Sequence, residues 1–190
     1  RIFKVYGLLK ERIPELTSII VYGEMFGGAY PHKDVKRIRA MSAIQKGVYY
    51  CPGHDFYGFD IYAYTPDGAF YLEVDTTNSI FQKADIFFAE TIFEGTLDEC
   101  LAYPNAFPSK IFEHFGLPAI DDNICEGIVI RPKEPLYIPN GSRIIIKSKN
   151  ARCAEKKGLR HEPKQPRVIA DEVTALFHLA EDYFTEQIGR

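Results

Sequence analysis

The chain has 190 residues, 46% hydrophobic and 26% charged, an ordinary globular composition for one domain or one domain with part of another. Its 23 Lys and Arg against 26 Asp and Glu give a formal net charge of -3, which excludes a wholly basic nucleic-acid binder but permits a local basic patch. No apolar run approaches the roughly 18–20 residues of a membrane span, so no membrane partner is expected.

The first element expected is an amphipathic helix within Phe3 to Leu16, with Phe3, Val5, Leu8, Leu9 and Ile13 on its apolar face. Ile19 to Tyr22 reads as a buried strand ending at Gly23-Glu24, followed by a Gly-rich and basic loop from Met25 to Tyr49. Asp55 to Tyr64 and Ala69 to Val74 read as a hairpin around the turn Pro66-Asp67-Gly68. Asp75 to Phe88 has helical spacing, with Ile80, Phe81, Ala84, Phe87 and Phe88 as its stripe. Thr96-Leu-Asp-Glu99 is a capping box opening a short helix, and Ser109 to Phe115 reads as another. Gly127 to Arg131 and Arg143 to Lys147 read as strands. Asn150 to Gln165 is polar and basic, and Val168 to Ile188 is helical in period and acidic. Adjacent strand pairs with helices in clumps point to an α+β fold.

Cys51, Cys100, Cys125 and Cys153 lack the short spacing of a zinc or redox motif. Isolated thiols of this kind fit a reducing compartment, cytoplasmic or organellar. The opening Arg1-Ile2-Phe3-Lys4 does not read as a signal peptide, and without an initiator Met a longer natural chain is expected.

Three clusters can carry chemistry. Val21-Tyr-Gly-Glu24 sets a carboxylate after a strand, near two glycines that permit close backbone approach to a ligand. In Asp55-Phe-Tyr-Gly-Phe59-Asp60-Ile61, alternation puts Tyr57, Phe59 and Ile61 on one face and Phe56, Gly58 and Asp60 on the other. A ring beside a glycine there can stack on a base. Glu126-Gly-Ile-Val-Ile-Arg131 is followed by Arg143-Ile-Ile-Ile-Lys147-Ser-Lys149, where the two lysines share a strand face and suit a phosphate. Glu126 can hold a hard cation or orient a lysine. Arg143 to Arg167 holds nine of the 23 basic residues, a candidate polyanion footprint. Solvated strand ends, plain core packing and a lysine-protected edge strand are the structural alternatives.

In this order the clusters resemble the covalent nucleotidyltransferase superfamily of ATP-dependent ligases and capping enzymes, and more narrowly the RNA ligase 2 family, which includes a phage RNA ligase and the trypanosome RNA-editing ligases. Val21-Tyr-Gly-Glu24 resembles motif III, Phe56-Tyr-Gly-Phe59-Asp60 motif IIIa, Glu126-Gly-Ile-Val-Ile-Arg-Pro132 motif IV, and Ile146-Lys147-Ser-Lys149-Asn150 motif V. Gly95 to Ala102 and Glu155-Lys156-Lys157 resemble flanking segments of the editing ligases.

The resemblance implies an ATP-grasp-like nucleotidyltransferase domain of antiparallel sheets and flanking helices over residues 1–150, N-terminally incomplete. A basic linker at 151–167 and the start of a helical segment at 168–190 follow. It implies ATP and AMP as cofactors with Mg²⁺ or Mn²⁺, and RNA with a nicked duplex or paired ends as partner. A lysine takes AMP from ATP, the AMP passes to an RNA 5′-phosphate, and the 3′-hydroxyl then seals the strand. Glu24 is implied at the ribose, Phe59 on the adenine with Asp60 supporting, Glu126 at the metal, and Lys147 and Lys149 at the phosphate, so that Glu126, Lys147 and Lys149 are the catalytic candidates.

The family's nucleophile lies in a K-x-x-G motif well upstream of motif III. Lys4-Val-Tyr-Gly7 has that form, but it sits in a helix-like stretch only 20 residues before Glu24. The nucleophile is therefore expected in an N-terminal remainder outside this sequence. Two rival readings are a DNA-ligase or capping-type nucleotidyltransferase, and a catalytically incomplete nucleic-acid or nucleotide-binding module on the same fold.

Overall fold

A computed structural model describes residues 1–151. The expected helix at Val168 to Ile188, all but the first residue of the expected linker, and Cys153 lie outside the described residues.

The described elements are α1 (Ile2–Lys10), β1 (Ser18–Gly27), β2 (His54–Thr65), β3 (Gly68–Tyr71), α2 (Val74–Lys83), α3 (Leu97–Ala102), α4 (Ile111–His114), β4 (Gly127–Ile130) and β5 (Ile146–Lys149). This is an α+β fold with two antiparallel sheets, one ordered β1-β2-β3 and one a β4-β5 pair.

One face of the larger sheet carries the core. Val5 and Leu9, one turn apart on α1, pack with Ile61 and Ala63 of β2 and with Ile80 and Phe81 of α2. Phe3 was expected on this face but is 93% exposed, because α1 meets the core along the Val5–Leu9 line. β1 is longer than expected and is only half-buried. Ile19 and Val21 turn to the core while Ile20 is exposed, so Glu24 lies within the strand, not after it.

β2 carries a bulge. Tyr22 pairs with Asp60 and Gly23 pairs with Gly58, which leaves Phe59 as the extra residue. The bulge switches the phase of the strand. Phe56 and Gly58 face the core before it, Ile61 and Ala63 after it. The simple alternation expected from sequence therefore fails at Phe59, and Ile61 does not share the outer face. Gly58 is required by close approach, since a Cβ there would stand 3.0 Å from the Phe81 ring and 3.3 Å from Ile86.

The hairpin turn at Pro66-Asp67 forms as expected, with Thr65 paired to Gly68. β3 ends at Tyr71, and Val74 already opens α2. α2 stops at Lys83 instead of reaching Phe88, because Asp85 takes φ 56° and turns the chain. The following segment bridges to β2, with Gly58 N–H donating to the Phe87 carbonyl and Ala89 N–H to the Gly58 carbonyl, both at 2.9 Å. The Thr96–Glu99 capping box forms, and backbone and side-chain donation from Thr96 lowers the Glu99 pKa. β5 starts at Ile146, later than expected, and Arg143 instead makes an isolated bridge to Tyr137.

Thr77 is fully buried in α2, and its hydroxyl has no hydrogen-bond partner among the described residues. Thr77→Val should therefore raise the unfolding free energy by about 1 kcal/mol. Urea denaturation measures this, and a loss of stability contradicts it.

Among the described residues Cys51, Cys100 and Cys125 are free thiols, and no helix is long and apolar enough to cross a membrane. Burial, then the Asp55 charge, pushes the Cys51 thiol up to about 11.

Candidate functional site

The face of the larger sheet opposite the core is built differently. Tyr22, Tyr62 and Tyr71 cluster there, with ring centroids 4.5 Å apart for Tyr62–Tyr71 and 5.8 Å for Tyr22–Tyr71. Glu24 follows Tyr22 by two residues on β1, so strand periodicity puts its exposed carboxylate on the same face.

Asp60 is the hinge of this face. It is 3% exposed, and a carboxylate so buried is costly unless paired. Arg143 donates to its Oδ2 at 2.5 Å and Arg131 approaches the same oxygen at 3.3 Å. Arg143 also lies over the Tyr71 ring, 3.7 Å from its centroid. Burial lowers the Arg131 pKa, with Asp60 acting against it. Arg131 follows β4 and Arg143 precedes β5, so one carboxylate ties that end of the small sheet to the large one. Asp60 Oδ1 is buried without a hydrogen-bond partner among the described residues.

The other end of the small sheet has its own ties. Asn123 accepts from Tyr49 N–H at 2.8 Å and donates to the Tyr49 carbonyl at 2.6 Å. Asn150 N–H donates to the Glu126 carbonyl at 3.0 Å, and the Asn150 side chain donates to the Cys125 carbonyl. Asn150 is thus a buried part of the fold. Tyr50 donates to Glu126 Oε1 at 3.4 Å and sets its ring edge on Phe26 of β1. Burial, then the Glu126 charge, raises the Tyr50 pKa, so it stays a donor.

Gly127 joins Glu126 to β4 at φ +148°, a conformation that favours glycine, and a Cβ there would strike the Ser148 carbonyl. Gly127 pairs with Lys149 and Val129 with Lys147, so Glu126 and Lys149 meet at one end of the ladder. Ser148 turns inward and accepts from Asn105 at 2.9 Å. Lys147 and Lys149 both turn outward and are exposed.

The expected residues thus fall into two groups. Glu24, Phe59 and Asp60 belong to the large sheet, and Glu126, Lys147 and Lys149 to the small one. Asp60 joins the large sheet to Arg131 and Arg143, which flank the strands of the small one. Phe59 sits half-buried at the bulge. Sequence reasoning assigned no role to Arg131 and read Arg143 as part of a polyanion footprint, whereas both serve the Asp60 clamp. Lys147 and Lys149 are the other described members of that footprint, and Arg152 to Arg167 lie outside the described residues. The signal was available: an aspartate in an aromatic strand needs a cationic partner if it is buried. Lys4 lies on α1, which covers the opposite face of the sheet from Glu24 and Asp60.

Comparison with known proteins agrees with these features. RNA-editing ligase 1, mitochondrial, of Trypanosoma brucei brucei is 27% identical over 186 residues, covering 83% of this chain and 39% of that protein. RNA-editing ligase 2, mitochondrial, of Trypanosoma brucei brucei (strain 927/4 GUTat10.1) is 28% identical over 142 residues, covering 65% of this chain and 34% of that protein. The chain therefore spans about two fifths or less of the length of these relatives. The sequence profile of the RNA ligase family matches residues 2–149, and the chain belongs to that family.

Proposed function

We propose that this chain is the adenylyl-handling part of an ATP-dependent RNA ligase, acting on RNA 5′-phosphate and 3′-hydroxyl ends of a nick or paired strands. The observation that carries the reading is the pair Lys147 and Lys149, exposed on one strand face beside Glu126, on a sheet that Asp60 fastens to the strands carrying Glu24 and Phe59.

Each role follows from side-chain chemistry. The Phe59 ring offers an apolar face to adenine, and Glu24 accepts hydrogen bonds from ribose hydroxyls. Lys147 and Lys149 oppose charge on the phosphate oxygens as it builds during transfer. The bonds balance at each step: pyrophosphate leaves as AMP joins a lysine, the lysine leaves as AMP joins the RNA 5′-phosphate, and AMP leaves as the 3′-oxygen bonds to that phosphate. Lys4 takes no part, being on the far side of the sheet.

Glu126 brings one carboxylate, and among the described residues no group of three or more His, Cys, Asp or Glu converges. That donor set suits Mg²⁺ or Mn²⁺ taking its remaining ligands from nucleotide phosphates and water. Such an ion, when bound, neutralises charge on the phosphate oxygens. The free thiols fit a reducing compartment, cytoplasmic or organellar, and both relatives carry the word mitochondrial in their names.

Phe59→Ala should weaken AMP binding to the chain by about 1–3 kcal/mol, roughly 5- to 150-fold. Calorimetric titration with AMP reads this directly. Unchanged affinity removes Phe59 from the adenine site.

A further inference from the structure

The 26 residues from Gly28 to Gly53 form no helix or strand, yet they are held in place. Gly28 N–H donates to the Gly53 carbonyl at 2.7 Å, closing the loop at its base. The Gln45 side chain accepts from Gly27 N–H and donates to the Met25 carbonyl, each at 3.1 Å, which fastens the loop to the end of β1. Tyr30 donates to the Pro118 carbonyl at 2.5 Å, and Tyr30, Val48 and Cys51 are buried. A loop this long in a compact domain is uncommon and is often functional.

Its charge is one-sided. Lys33, Lys36, Arg37, Arg39 and Lys46 face solvent, and Asp34 is the only acid. Five cations less one anion make the loop +4, while the whole chain is -3. Among the described residues Arg1, Arg131, Lys133 and Arg143 are in ion pairs, and none of the five loop cations is. The loop leaves β1 three residues after Glu24. No tyrosine or phenylalanine lies between Lys33 and Lys46, so the surface offers charge without a base-stacking platform.

We propose that the Gly28–Gly53 loop binds the phosphate backbone of the RNA substrate, through Lys33, Lys36, Arg37, Arg39 and Lys46, without reading its bases. This rests on the RNA-ligase reading and deepens it by naming where the strand runs, outward from the Glu24 end of β1.

The test measures binding of a nicked RNA duplex by fluorescence anisotropy across 50–200 mM KCl, with AMP binding measured in parallel. Lys36→Gln/Arg37→Gln/Arg39→Gln should weaken RNA binding at least tenfold at the low-salt end. It should lower the log–log salt slope by roughly 2–3, at about 0.7–0.9 per phosphate contact. AMP affinity should not change. Lys33→Gln/Lys46→Gln provides an independent second variant with a smaller slope change in the same direction. Wild-type RNA affinity and slope in both variants overturn the proposal. A wild-type chain that binds AMP but no RNA also overturns it and leaves the nucleotide site standing. A chain that binds RNA with the expected slope changes but no AMP supports the loop and removes the nucleotide reading.

Discussion

Asp60→Ala should lower the unfolding free energy of the chain by about 3–5 kcal/mol. The loss arises less from one missing ion pair than from what is left behind. Arg131 and Arg143 have side chains only 15% and 14% exposed, and both lose their counter-charge at once. At about 2–4 °C per kcal/mol for a chain of this size, the melting temperature should fall by about 6–20 °C. Arg131→Ala should cost less, since Asp60 keeps its bond to Arg143. Urea denaturation of the two variants decides between them. A cost under about 1 kcal/mol for Asp60→Ala would mean that the two sheets are held mainly by the Tyr50 and Asn123 ties at the other end.

Lys147→Ala should behave in the opposite way. Its side chain is exposed, so its removal should change stability by no more than about 0.5 kcal/mol. Loss of a donor aimed at developing phosphate charge should instead slow strand sealing about 10²–10³-fold. Single-turnover sealing of a pre-adenylated RNA nick measures this, with denaturation as the control. A variant that seals at the wild-type rate takes Lys147 out of the reaction. The two substitutions separate the frame of the site from its chemistry.

Much of this was legible in the sequence, for identifiable reasons. Val5 and Leu9, or Ile80 and Ala84, repeat with helical period, and the Thr96–Glu99 box marks its own helix. The shared outward face of Lys147 and Lys149 follows from strand period alone. The bulge at Phe59 was not legible, because a run of rings and one glycine looks apolar in either phase. The Ile144–Ile146 run likewise left the start of β5 free to slide. The end of α2 depends on Asp85 adopting a left-handed turn, while the apolar stripe runs on to Phe88 in sequence. The Asp60 clamp joins residues 83 positions apart for Arg143, a separation that no local pattern reports. Basic density in the sequence points to the segment from Arg143 onward, yet a second set of exposed cations, without ion pairs among the described residues, lies at Lys33 to Lys46.

The most direct measurement supplies this chain with Mg²⁺ and a nicked RNA duplex already adenylated at the 5′-phosphate, without ATP. Sealing then requires no lysine nucleophile, only the 3′-hydroxyl, the adenylated phosphate and a site that holds AMP as it leaves. The account predicts sealed RNA and free AMP in equal amounts, both formed about 10²–10³-fold more slowly by Lys147→Ala. Tight binding of the adenylated duplex with no sealed strand would contradict it and identify a binding module on the ligase fold.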